Sequence, residues 1–295
     1  MSGRLVAPAA SARRAAGHPL VPDGVARPVR GLRTAVGAAW ARHRATIAPV
    51  LLGIVGTGTV IAGWAMITAT GLVSERSLPS PTAVATSLPL VLADPDLHAG
   101  LADTLLTWLG ALALASAVAI VLGVLIGTVP WLARPAMVAV NALRSIPSTA
   151  LIPLAILLFG LGPAMKGAVA VYAVAPIVLI NTIYGVAGTE PMRIDAARSM
   201  HWPWWRRWAW LVLPSATPAI VTGIRVASGI ALVVVVSAEL LGGRSGAGLI
   251  LVQYQQALRI DMAYACITVI GVVGMALYGL LTLAERRTIA RIHLV

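Results

Sequence analysis

Charge is scarce in this sequence: 11% of its 295 residues are charged, while 59% are hydrophobic. That balance, with a mean hydropathy of +0.89, excludes an ordinary soluble domain of this size and makes lipid the solvent for most of the chain. Lysine is nearly absent. Of 22 basic residues, 21 are arginine and one is Lys166, against ten acids. A formal charge of +12 would suit a nucleic-acid partner, but the placement of the arginines does not. Eight of them (Arg4, Arg13, Arg14, Arg27, Arg30, Arg33, Arg42 and Arg44) precede the first long apolar run, and most others fall in short segments between such runs. That is the pattern of membrane topology rather than of a nucleic-acid footprint.

Other absences narrow the chemistry. The one cysteine, Cys266, lies inside an apolar run, so no intramolecular disulfide can form and the residue reads as a packed thiol. No Gly-x-x-x-x-Gly-Lys-Ser/Thr loop exists, since the only lysine follows Met165 and precedes Gly167; ATP is not bound here through that motif. All five histidines (His18, His43, His98, His201 and His293) lie outside the long apolar runs, and no His, Cys, Asp and Glu set has metal-ligand spacing. Serines and threonines are plentiful, but none is paired with a base, so covalent catalysis is not expected. The first 30 residues mix Arg, Pro and Gly without an apolar core and do not read as a cleaved signal peptide. Residues 1–45 read as a basic, disordered tail and 46–295 as one membrane domain.

A helix needs about 20 mostly apolar residues to cross the hydrocarbon layer, because lipid offers no partner to an unpaired backbone group. Six runs qualify: Ile47–Val73, Thr104–Leu132, Pro135–Gly162, Gly167–Gly188, Ala216–Leu241 and Met262–Ala284. The third contains Arg144 and Pro147 and is expected to be broken or interfacial at its start. Gly123 and Gly127 form a Gly-x-x-x-Gly pair on the second, a pattern that lets helices approach closely. Six crossings put both termini on one side. Sixteen of the arginines then share that side with the 189–213 loop, against Arg76, Lys166, Arg244 and Arg259 opposite, so the expected orientation has both ends in the cytoplasm.

Two connections exceed a turn: residues 74–103 outside and 189–213 inside. The inner one reads as two short helices, with Pro191 in the first turn of one, Pro203 opening the other and a break near His201. Trp202, Trp204, Trp205, Trp208 and Trp210 crowd it together with Arg206 and Arg207, which suits a helix at headgroup level.

Within that loop Asp195-Ala196-Ala197, then His201, then Leu211, Leu213 and Pro214 stand at the spacing of Glu-Ala-Ala, three residues, Gly, nine residues, Ile-x-Leu-Pro. The segment resembles the EAA loop of importer permeases of the ATP-binding-cassette (ABC) superfamily. Leu78-Pro79-Ser80-Pro81, Pro147 to Ala150 and Phe159-Gly160 resemble the nitrate, sulfonate, taurine and bicarbonate branch of it. Two departures stand out: Asp195 replaces the usual Glu, and His201 replaces a Gly that would permit a left-handed corner.

The resemblance implies an all-α, type I importer permease with six transmembrane helices in a bacterial plasma (inner) membrane. It would couple through the 189–213 loop to a cytosolic ATPase that carries ATP and Mg, pair with a second permease copy, and receive cargo from an extracytoplasmic binding protein. The chain itself would hold no cofactor and no metal. The substrate expected is a small anion such as a sulfonate, taurine or nitrate, and Arg144, Arg225 and Glu239 are the charged candidates for the pathway. Arg225 also suits the start of span five, snorkelling to the interface. Two other classes fit parts of the pattern: an ion-driven secondary transporter, through the break at Pro147, and the transmembrane subunit of a vitamin-precursor uptake system.

Overall fold

The computed structural model describes residues 51–292, so the basic tail at 1–45 and the first residues of span one lie outside the described residues. The chain divides into two units at Val60/Ile61. Every described element is helical: α1 (Leu51–Ala69), α2 (Pro81–Leu92), α3 (Pro95–Thr128), α4 (Pro130–Arg144), α5 (Ile152–Phe159), α6 (Pro163–Ala187), α7 (Pro191–Ser199), α8 (Trp204–Arg207), α9 (Leu213–Gly242), α10 (Ala247–Gln256) and α11 (Ile260–Ile292). Five helices are long and apolar enough to cross a membrane, and six if the bent pair α4 and α5 is one span.

Proline sets many of these starts. Pro81, Pro95, Pro130, Pro163 and Pro191 each open a helix, where the missing N–H costs nothing and the fixed φ already suits the first turn. Ser80 and Asp94 cap two of them, accepting from the backbone N–H of Ala83 and Asp96. The same chemistry breaks the third span. Pro147, extended at ψ 124°, disfavours a helical residue before it, and the halves 131–144 and 148–159 are bent by 73°.

Helix α6 is the centre of the bundle, with α3 parallel to it and α9 antiparallel. Gly123 and Gly127 of α3 explain the close approach: a Cβ at Gly123 would stand 2.6 Å from Thr182 Cβ, and one at Gly127 2.9 Å from Val186 Cβ. Along α3 most of the inward face is small or hydroxyl-bearing (Thr104, Ala111, Ala115, Ser116, Ala119), with Leu97, Trp108 and Leu112 as its large buried members, while Leu106, Leu109, Leu114 and Val121 point away from the protein. This is what lipid as solvent requires: large apolar groups face the tails, and small ones let backbones approach. The Trp108 indole crosses to α9 and donates to the Ser228 carbonyl at 2.9 Å.

Three sequence boundaries are corrected. The 74–103 stretch is not a loop, since it holds α2 and the first turns of α3. The segment after span five contains a further helix, α10, too short for a hydropathy window to register. Span five does not begin at Ala216, because α8, a π-helical stretch at Trp208–Val212 and α9 run on as a 39-residue helix, Trp204–Gly242. The π stretch lies just before Pro214, which has no N–H for the carbonyl four residues back and whose ring crowds it.

Candidate coupling face and buried charge centres

At one end of the bundle, α7 and α8 form the helical pair expected from the sequence. Helix α7 ends in a tight corner where the N–H groups of Met200, His201 and Trp202 donate to the carbonyls of Ala196, Arg198 and Ala197. His201 takes φ 54°, so the left-handed corner is made without glycine. Histidine adopts this region more readily than a β-branched residue would. Asp195 and Ala196 are exposed, with Asp195 held by Arg198 Nη1 at 3.1 Å, whereas Ala197 is buried against the bundle. Leu211 is half-buried, Leu213 is exposed and Pro214 lies in the first turn of α9.

The opposite end holds a charge centre that hydropathy did not disclose. The sequence places Lys166 in an external segment; instead its side chain is wholly buried, one turn into α6. Its Nζ lies 2.5 Å from Asp103 Oδ2 on α3 and 3.0 Å from Glu239 Oε1 on α9, and donates to the Ser245 carbonyl at 3.1 Å. Three donors on a tetrahedral ammonium thus meet three acceptors, an arrangement that a flat guanidinium fork does not fit. The signal was present in the composition, as one lysine among 21 arginines.

Glu239 is completed by further donors. Gly248 N–H reaches Oε2 at 3.0 Å, and Thr104 Oγ1 lies 2.9 Å from the same oxygen. The Thr104 hydroxyl accepts from Ala247 N–H and gives its one proton to Glu239 or to the Gly100 carbonyl. Ser245 Oγ donates to Asp103 at 2.8 Å. The α9–α10 turn is shaped around the carboxylate: Gly246 has φ 114°, and a Cβ there would stand 2.1 Å from Glu239 Cδ. Asp103, Lys166, Glu239 and Thr104 therefore tie the ends of α3, α6, α9 and α10 into one knot.

Beside it, Asp94 at the start of α3 accepts from the Tyr254 hydroxyl of α10. That hydrogen bond is the main reason the Asp94 carboxyl lies below its ordinary range, while burial is the main cause pushing the Tyr254 phenol up.

The three charged pathway candidates do not converge. Glu239 belongs to the knot, and Arg225 lies 14 residues away on the same helix, about 21 Å at 1.5 Å per residue. Arg225 is paired, its Nη1 lying 2.7 Å from Glu285 Oε2 of α11. Thr222 donates to the other Glu285 oxygen at 2.7 Å, and the guanidinium lies 5.8 Å from the Tyr278 ring. Arg144 is exposed at the end of α4, just before the bend, and no described acid pairs with it; the neighbouring Leu143 carbonyl accepts from Tyr172 Oη at 2.6 Å.

Comparison with known proteins places this geometry. Residues 119–290, which include α7, the corner and the paired Arg225 and Glu285, match the family model described as "Binding-protein-dependent transport system inner membrane component". A Bacillus subtilis protein named as an aliphatic sulfonates transport permease is 29% identical over 80% of this chain and 85% of its own. The taurine transport system permease protein of Escherichia coli is 28% identical over 81% of this chain and 89% of its own. In fold, the inward-facing MetNI methionine ABC transporter aligns with a TM-score of 0.55 at 20% identity, over 65% of this chain and 94% of that one. With a model that covers more than half of its length, and with an all-helical fold shared with importer permeases, the chain belongs to the binding-protein-dependent inner-membrane family of ABC transporter permeases.

Proposed function

We propose that this chain forms the transmembrane pathway of an ATP-driven importer and that α7 docks on a separate cytosolic ATPase carrying ATP and Mg. The observation that carries the reading is the continuity between the corner and the membrane. Asp195 and Ala196 stand exposed on α7, His201 turns the chain, and α8 runs without a break into α9. A push on α7 and α8 is thus delivered to a rod of 39 residues, about 58 Å long at 1.5 Å per residue, whose far end carries Glu239. The small Ala196 lets a partner groove approach the helix closely.

The arginine bias puts α7 and both termini in the cytoplasm of a bacterial plasma membrane, so the Lys166 knot lies at the outer end, facing an extracytoplasmic binding protein. A second permease copy completes the pathway. The names of the sulfonate and taurine relatives support a small anionic or sulfonated cargo. Arg225 is already neutralised by Glu285, which leaves Arg144, exposed at the bend, as the arginine available to an anion. The ion-driven and vitamin-precursor readings are set aside, since the family match accounts for the loop and for the missing phosphate motif together.

The test is co-purification of the tagged full chain from its native membrane, comparing wild type with Asp195→Lys and Ala196→Lys, both at exposed positions. Wild type is expected to retain an ATPase and the variants to lose most of it. Equal recovery from all three, or no ATPase with any, overturns the coupling role.

A further inference from the structure

A cavity of about 300 Å³ lies under the corner, walled by Gly127 and Thr128 at the end of α3, Val186 near the end of α6, Arg198 of α7, and Arg207 and Trp208. It differs in kind from the larger spaces between α3 and α6 and between α9 and α11, whose walls are aliphatic, glycine and hydroxyl-bearing with no charged group. Here two arginines line one space, and their ordinary partners are elsewhere or absent. Arg198 gives Nη1 to the exposed Asp195, leaving its other donors free. Glu190 is taken by Arg193 at 3.2 Å. Arg206, next in sequence, stacks 4.6 Å over the Trp202 ring. Arg207 pairs with no described acid, and its Nε–H is buried without an acceptor among the described residues.

A buried, charged donor without an acceptor is costly, and a planar guanidinium fork matches an oxyanion with two oxygens. We infer that this cavity binds a phosphate group through Arg198 and Arg207. The group is either the headgroup of an anionic phospholipid or free phosphate. Trp208 lines the cavity, Trp204, Trp205 and Trp210 lie within four residues of it along the chain, and tryptophan is enriched at the depth of headgroup phosphates. Helices α3 and α6 end here, and the partial negative charge of their last carbonyls works against an anion. Binding therefore rests on the two guanidiniums, and loss of either one is felt. A bound phosphate would join α7 and Arg207 to the ends of α3 and α6, setting the stiffness of the corner.

The experiment uses the full chain in bicelles of phosphatidylcholine, with unfolding followed by the reactivity of buried Cys266 toward a thiol dye. One arm titrates phosphatidylglycerol into the bicelles. The other titrates inorganic phosphate at constant ionic strength. A ligand bound only to the folded state raises the midpoint with its concentration. A rise in the lipid arm alone identifies a headgroup, in the phosphate arm alone a soluble anion, and in both a site that reads the phosphate itself. Arg207→Gln and Arg198→Gln are each expected to weaken the apparent affinity about tenfold, equivalent to about 1.4 kcal/mol. Arg206→Gln removes the same charge outside the cavity and is expected to leave it unchanged. If Arg207→Gln does not fold, Arg207→Lys keeps the charge without the fork and is expected to weaken binding by a smaller factor. No rise in either arm, or equal weakening by Arg206→Gln, overturns the site and assigns the cavity to water or the effect to net charge. Because the readout is binding by the chain itself, it is independent of whether α7 meets an ATPase.

Discussion

Replacing Lys166 with Met tests whether the knot at the end of α3, α6, α9 and α10 organises the bundle. The substitution roughly preserves side-chain length but leaves two carboxylates, Asp103 and the fully buried Glu239, with no counter-charge. Breaking a buried pair from one side costs about 3–5 kcal/mol, because the remaining charge is neither hydrated nor compensated. At roughly 2–4 °C per kcal/mol for a domain of this size, the unfolding midpoint should fall by about 6–20 °C. Glu239→Gln keeps the shape and leaves Lys166 with Asp103, so its cost should be smaller, about 1–3 kcal/mol, from the amide N–H₂ now facing the Gly248 and Thr104 donors. The double variant should lose less than the sum of the two, by about 0.5–3 kcal/mol, since these groups share one network. Cys266, fully buried and the only thiol, allows all three midpoints to be read in detergent with a thiol-reactive dye. A Lys166→Met midpoint within about 1 °C of wild type, against the expected shift, or strictly additive losses, would refute the knot as a structural element.

Gly246→Ala should be more damaging than an ordinary surface change, because it combines φ 114° with a Cβ placed 2.1 Å from the Glu239 carboxyl; the same dye assay checks it, and a wild-type midpoint would mean that the turn is not shaped by Glu239. His201→Gly should stabilise by about 1 kcal/mol through relief of the left-handed corner, seen as a raised midpoint with ATPase recovery retained. Asp94 has a depressed carboxyl pKa, so it contributes stability that is present above its unfolded value near 4 and is lost as pH falls through the folded value. Tyr254→Phe removes the main cause of that depression and should flatten the acid side of the midpoint-against-pH curve, where an unchanged slope would show that the pair does not contribute.

Much of the architecture was legible because lipid imposes a simple demand on a sequence. Uncharged runs of sufficient length marked the spans, Pro147 marked the bend between α4 and α5, and Pro191 and Pro203 marked the two short helices. The Gly123 and Gly127 pair was visible as a pattern, but its partners, Thr182 and Val186, were not. Helices α2 and α10 were missed because each is too short to register as a span, and α3 was read as starting nine residues late because its first turns carry acids, His98 and glycine. Hydropathy also assigned Lys166 to an external segment, since a charge near the edge of a span has the same effect on a running average whether it faces water or two carboxylates.

The sequence by itself determined that this chain lives in a membrane, where its long apolar runs lie, and that no phosphate loop of the ATP-binding kind lies within it. Those properties depend on composition and spacing along the chain, which are local. Only the tertiary structure decided which charges meet: that Glu239 belongs with Lys166 and Asp103, that Arg225 is neutralised by Glu285, and that Arg207 is left lining a cavity. These pairings join residues 60 to 136 positions apart. They follow from the packing of α3, α6 and α9 on one another and of α11 on α9, and no window along the sequence is long enough to contain them.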